Sequence, residues 1–248
     1  MKSKSTWFIF AAAAILFVAS NVGAQSSSGG WQFAVAPYGW LAAPSGTMTI
    51  GDETAEPPEV EIDRIIDTLE FAFMGHFDMR NERWMISSDF LLANLGGHKD
   101  FDDVTVSTGL DTTLFELAGG YRVSPAFTLF AGARLVDIEM DIGLDGLLEE
   151  RRAEASKSWV DPLVGVHLFV PLSDTWWIGV RGDVGGFGVG SELTWQAYAD
   201  IGFRISKLVS VLAGYRALNI DYESGTDLET VELDLMLSGP QVAVAFTF

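Results

Sequence analysis

The chain has 248 residues, 48% of them hydrophobic and 12% aromatic, with 26 glycines and no cysteine; 34 acidic residues against 15 basic ones leave a formal net charge of -19. That balance argues against nucleic acid and anionic membrane surfaces as electrostatic partners, and an exported chain without cysteine must hold together without disulfides. Mean hydropathy is +0.24, yet no apolar run reaches the roughly 20 residues of a membrane-spanning helix. The apolar residues are dispersed, as in a packed soluble domain or in a barrel whose apolar side chains alternate outward.

Lys2 and Lys4 precede an apolar run over residues 7–19, followed by small residues ending in Ala24. A basic start, an apolar middle and small residues at Val22 and Ala24 are the layout of a secretory signal peptide. The expectation is a signal peptide over 1–24 and a single domain over 25–248, outside the cytoplasm.

From Trp31 onward, segments with strand character alternate with connections of two kinds. Short ones, rich in turn residues, lie at 80–83, 123–125, 171–175 and 206–207; long ones lie at 44–67, 95–103, 143–155, 184–191 and 223–229. Outer-membrane barrels alternate in this way, with short periplasmic turns and long outer loops. Counting between the connections predicts ten strands, near 31–43, 69–79, 84–94, 107–122, 126–141, 157–170, 176–186, 192–205, 208–222 and 230–248. An even number places both termini in the periplasm.

The ionisable residues keep to one face of these segments. Arg181 and Asp183 oppose Ile178, Val180 and Val184, while Thr194, Gln196, Tyr198, Asp200 and Arg204 oppose Trp195, Ala197, Ala199, Ile201 and Phe203. By the same alternation Asp78 and His76, Asp89, Glu116 and Arg122, Arg134, Asp161 and His167, and Arg216 fall on the face a barrel turns inward. On the outward face Trp31, Trp84, Tyr121, Trp195, Tyr215 and Phe248 cluster near strand ends, as interfacial girdles do. The expectation is a lumen charge network of Asp78, Asp89, Glu116, Arg122, Arg134, Asp161, His167, Arg181, Asp183, Asp200, Arg204 and Arg216 that largely plugs the barrel. The period breaks at 136–138, 218–220 and 237–240, where a bulge would move apolar residues to the other parity.

Three stretches invite chemistry. Ile62, Ile65, Ile66 and Leu69 recur at helical spacing in the first long loop, predicting a short helix that covers the rim or plugs the lumen. His98, Asp100, Asp102 and Asp103 share the second long loop, but the spacing matches no calcium loop. The run Gly185, Gly186, Gly188 and Gly190 suggests a phosphate loop, yet Ser191 stands where its lysine should be; an outer hairpin suits it better. No catalytic residue, metal ligand or cofactor site is specified.

The segments APYGWLAA, FAFMGHFDMR, SWVDPLVGVH, the block over 181–204, LAGYRALNIDYE and SGPQVAVAF resemble a family of small, uncharacterised, porin-like bacterial outer-membrane β-barrel proteins. The resemblance implies fold and address and brings no substrate or catalytic residue. The expected fold class is therefore all-β: a transmembrane antiparallel up-and-down barrel of ten strands, with eight or twelve as alternatives, in a Gram-negative outer membrane. The expected partners are outer-membrane lipids and lipopolysaccharide, and the barrel assembly machinery through the C-terminal strand ending in Phe248; the chain is read as a monomer. Its function is read as structural or as a narrow gated pore. The alternatives are a surface hydrolase or lipid-modifying barrel using loop carboxylates with His98, and a surface-binding protein with acidic loops.

Overall fold

A computed structural model describes residues 30–50, 53–55, 69–101, 104–146, 150–225 and 230–248. The segment read as a signal peptide and the helix expected from Ile62 to Leu69 lie outside them, except Leu69, which begins a strand. One sheet contains β1 (Gln32–Trp40), β2 (Ala43–Ile50), β3 (Glu53–Ala55), β4 (Leu69–Arg80), β5 (Trp84–Phe101), β6 (Val104–Ser124), β7 (Phe127–Gly146), β8 (Glu150–Pro171), β9 (Trp176–Gly186), β10 (Leu193–Arg204), β11 (Val209–Ser224) and β12 (Val231–Thr247). Ten of these, β1 and β4 through β12, form an antiparallel meander that closes by pairing β12 with β1. Among the described residues there is no helix.

β1 and β2 are two parts of one stave. β1 lies along β12 from Ala34 opposite Thr247 to Trp40 opposite Gln241, and β2 continues the register from Ala43 opposite Ser238 to Ile50 opposite Val231. The interruption falls beside Pro240, which has no N–H to give, and there the Leu41 N–H donates to the Pro240 carbonyl at 3.0 Å.

Four tight turns gather at the end of the barrel that also holds Gln32 and Phe248, here called the turn end. Each is set by a side-chain oxygen that accepts backbone N–H groups two or three residues on, the local chemistry of Asn and Ser. Asn81 Oδ1 accepts from Arg83 and Trp84 at 2.8 and 2.7 Å, and Ser173 Oγ from Thr175 and Trp176 at 3.2 and 3.0 Å. Ser206 Oγ accepts from Leu208 and Val209 at 3.3 and 3.1 Å, and Ser124 Oγ from Ala126 at 3.3 Å.

At the opposite, loop end, the wall is uneven. β5 to β8 run for 18, 21, 20 and 22 residues, whereas β9 and β10 have 11 and 12. A tilted strand crosses hydrocarbon in about 9–11 residues, so β5 to β8 project well beyond any bilayer. The expected outer loops at 95–103 and 143–155 are therefore largely strand, as is part of 44–67. Their alternation was overlooked because it no longer places apolar residues outward.

The chain changes sides with height. Near the turn end and mid-barrel the outward faces are apolar: Ile86, Phe115, Leu117, Leu129, Val164, Val166, Val180, Ile201, Val211 and Val244 are all exposed. Towards the loop end the outward positions become Asp111, Glu139, Asp141, Glu154, Asp221, Glu223, Glu232 and Asp234, also exposed. The inward positions change in the opposite sense. Arg134 is followed on the same face of β7 by Val136 and Ile138, and Arg216 on β11 by Leu218 and Ile220.

The expected bulges at 136–138, 218–220 and 237–240 are thus absent. Pairing runs without a shift through all three places, from Thr112 opposite Ile138, through Ile220 opposite Leu235, to Pro240 opposite Tyr215. No residue has been inserted; the surroundings have changed. In hydrocarbon the outer face must be apolar, but above it the outer face meets water and the inner face becomes an ordinary core.

This boundary can be tested along β8. In lipid vesicles Val166→Arg, mid-belt, is expected to lower unfolding free energy by about 2–4 kcal/mol, whereas Ser156→Arg, outward on the loop-end part of the strand, should change it by about 0.5 kcal/mol or less. Equal losses in denaturant titrations would place the boundary elsewhere.

Candidate functional site in the lumen

Three tiers fill the barrel. The middle tier is a network of charged and polar side chains that the alternation of eight strands brings to one level. Arg134 on β7 donates through Nη2 to Glu116 Oε2 at 2.8 Å and Asp183 Oδ1 at 2.6 Å, and through Nη1 to Thr194 Oγ1 at 2.6 Å. Arg181 pairs with the other oxygen of Glu116, and its Nε lies 3.3 Å from Asp183 Oδ2. Gln196 Nε2 donates to Asp183 Oδ2 at 3.2 Å, and its Oε1 accepts from Arg216 Nε at 2.8 Å. Arg216 continues to Tyr38 Oη at 2.9 Å and Asp89 Oδ1 at 3.2 Å, and Asp89 Oδ2 lies 3.3 Å from His76 Nδ1.

Three arginines and three carboxylates are therefore buried together with their charges matched. Uncompensated, each would cost several kcal/mol to remove from water. Aromatic faces complete the tier: the Arg181 guanidinium carbon lies 4.3 Å from the Phe130 ring centroid and that of Arg216 4.7 Å from the Trp40 ring.

The upper tier is apolar. Val136, Ile138, Leu218, Ile220 and Leu235 have no solvent exposure, and Trp40, Met48, Leu91, Leu114 and Leu237 pack with them. Over the short β9–β10 hairpin, Trp159 of β8 stacks on Tyr222 of β11 with ring centroids 3.9 Å apart. Asp161 fastens the hairpin below this stack: it accepts from the Ser191 N–H and hydroxyl, both at 2.7 Å, and from Trp159 Nε1 at 3.1 Å. The chain turns there through Gly186, Phe187 and Gly188, all at positive φ. At Gly186 a Cβ would sit 2.7 Å from the Ser191 carbonyl oxygen, so only glycine is accommodated.

The lower tier is open. A cavity of about 450 Å3 extends from Arg216 and Asp89 down to Gln32, Lys207 and Thr247 at the turn end. A recess of about 300 Å3 adjoins it, bounded by Arg122, Thr128 and His167.

Of the twelve residues expected to form one lumen network, the fold joins six: Asp89, Glu116, Arg134, Arg181, Asp183 and Arg216. Asp161 bonds to the hairpin and has no cation beside it among the described residues. Arg122 and Arg204 face the turn end and hold turns, donating to the Asn81 carbonyl at 2.5 Å and the Asp174 carbonyl at 2.9 Å. Asp78 lies 3.8 Å from Arg80, Asp200 accepts from Gln241 Nε2 at 2.7 Å, and His167 lines the cavity. Thr194 has the inward face expected of it and joins the network as well; a search for charges passes over Tyr38 and Ser191, which are neutral donors and acceptors. On β5, His98 stands opposite Ser107, but its side chain, with Asp102 and Asp103, lies outside the described residues. Among the described residues no group of side chains is arranged to hold a metal ion.

No protein-family model matches the sequence, and no curated protein matches it. Solved structures do resemble it. The outer membrane protease OmpT from Escherichia coli is similar over 91% of this chain and 99% of its own, with a TM-score of 0.59 at 9% identity. The translocator domain of the autotransporter NalP from Neisseria meningitidis aligns over 97% of this chain and 95% of its own, at 12% identity and a TM-score of 0.44. The attachment invasion locus protein Ail of Yersinia pestis aligns over 89% and 99%, at 10% identity and a TM-score of 0.37. The first likeness shows the fold, that of an outer-membrane β-barrel, and at such identity fold is all it conveys.

Proposed function

We propose that the protein serves in the outer membrane of a Gram-negative bacterium as a closed, non-conducting barrel that holds an acidic wall above the lipid. The observation that carries this reading is the apolar upper tier: five inward side chains without solvent exposure, directly above a charge-matched network. A water-filled conduit would wet that level, whereas inward side chains with no accessible surface leave no room for water beside them. The even number of staves, and tight turns gathered at the end that holds Gln32 and Phe248, support a periplasmic location for that end. β12, the closing stave, is the element the barrel assembly machinery would meet.

Planar-bilayer recording tests the reading. The folded protein is expected to give no discrete conductance, and neither is the Arg181→Ala/Asp183→Ala variant, because the plug lies above the charges removed. Stepwise openings in the wild type would refute closure and favour a gated pore.

A further inference from the structure

The lower cavity has the makings of a binding site. Along the inner face of β10, Tyr198, Asp200, Gly202 and Arg204 succeed one another toward the turn end at intervals of about 7 Å. Gly202 makes room for the Trp177 ring, since a Cβ there would lie 2.1 Å from Trp177 Cε2. Gly214 of β11 does the same for Asp200, whose Oδ1 would be 2.2 Å from an added Cβ and which reaches across to Gln241. On the other flank Gly179, directly opposite Asp200, lies beside His167, with Nε2 3.9 Å from where a Cβ would be. Two glycines thus make room for a carboxylate and an indole in the cavity, which His167 also lines.

The polar groups collected there have hydrogen-bonding capacity left over. Asp200 accepts from Gln241 and has no cationic partner among the described residues, where Tyr198 Oη and His167 also make no hydrogen bond. Ala34, Ala36, Ala243 and Ala245 line the wall formed by β1 and β12 and keep the space open. The charge of Arg216 in the roof is answered by Asp89 at 3.2 Å. Nearer the mouth stand cations: Lys207, and Arg204, whose guanidinium carbon lies 5.9 Å from the Trp177 ring centroid.

We propose that this cavity binds a small zwitterion the size of a short peptide, with its primary ammonium at Asp200 and its anionic end at Arg204 and Lys207. An ammonium has three donors, and the Asp200 carboxylate can accept a charge-assisted hydrogen bond from it. The backbone positions of Asp200 and Arg204 are about 13 Å apart along the strand, and an extended tripeptide spans about 10 Å. The volume falls within the range of about 300–1,000 Å3 typical of small-molecule sites. The proposal does not depend on whether the barrel conducts.

Calorimetric titration of the folded protein in detergent with trialanine, N-acetyl-trialanine and trialanine amide tests it. Saturable binding of trialanine is expected, with each blocked form at least tenfold weaker. Asp200→Asn should weaken trialanine tenfold or more and leave the acetylated peptide unchanged; Arg204→Gln should weaken trialanine and leave the amide unchanged. Ala243→Leu, which fills the wall without altering charge, should abolish binding while the unboiled protein keeps its gel mobility. No saturable binding by the folded wild type, or equal affinity for the free and acetylated peptides, would overturn the proposal.

Discussion

Arg134→Met is expected to lower unfolding free energy by about 3–5 kcal/mol, the usual penalty for stripping one partner from a buried ion pair. Arg134 touches Glu116, Asp183 and Thr194 at once, so its loss leaves two carboxylates to share Arg181. Adding Glu116→Gln removes one excess negative charge and should recover part of the loss; a non-additive pair of this kind is the signature of a network. Arg204→Met, which loses one hydrogen bond to a turn carbonyl in an exposed setting, should cost about 1 kcal/mol. Denaturant titrations of the refolded barrel would compare all three, and an Arg134→Met loss no larger than that of Arg204→Met would show that the tier is not held by charge.

Leu235→Ala, in the upper tier, is expected to cost about 2–5 kcal/mol. Its side chain has no solvent exposure and sits opposite Ile220 in the plug, so truncation leaves a void that rigid β-staves cannot collapse to fill. Val244→Ala, on the outward face of the same strand where Val244 is exposed, leaves a surface that lipid chains refill, and should cost markedly less. Equal losses would mean that the upper tier is loosely packed and that closure of the lumen needs another explanation.

These predictions concern two tiers that were legible in the sequence to different degrees. Arg181, Asp183, Glu116 and Arg134 were visible because a period of two assigns a side chain to a face whatever its neighbours are. Which carboxylate meets which arginine was not visible, since Glu116 and Arg181 belong to strands separated by two others. The upper tier was misread in an instructive way. Val136, Ile138, Leu218 and Ile220 share a face with Arg134 and Arg216, but the assumption that apolar residues always point outward turned that continuity into bulges. The error lay in holding the solvent constant: a stave that leaves the hydrocarbon changes its outer medium, and its polarity reverses without any change in register.

Taken by itself, the sequence determined the all-β class, the number of staves in the closed barrel, the tight turns set by Asn81, Ser124, Ser173 and Ser206, and the inward face of the mid-barrel charges. All of these depend on residues within a few positions of one another. Only the tertiary structure decided that Asp161 fastens a hairpin, that Gly202 and Gly214 clear space for Trp177 and Asp200, and that the lumen is packed above and open below. Those outcomes depend on the stagger between strands, which sets the height at which side chains distant in the chain come level, and no local periodicity records it.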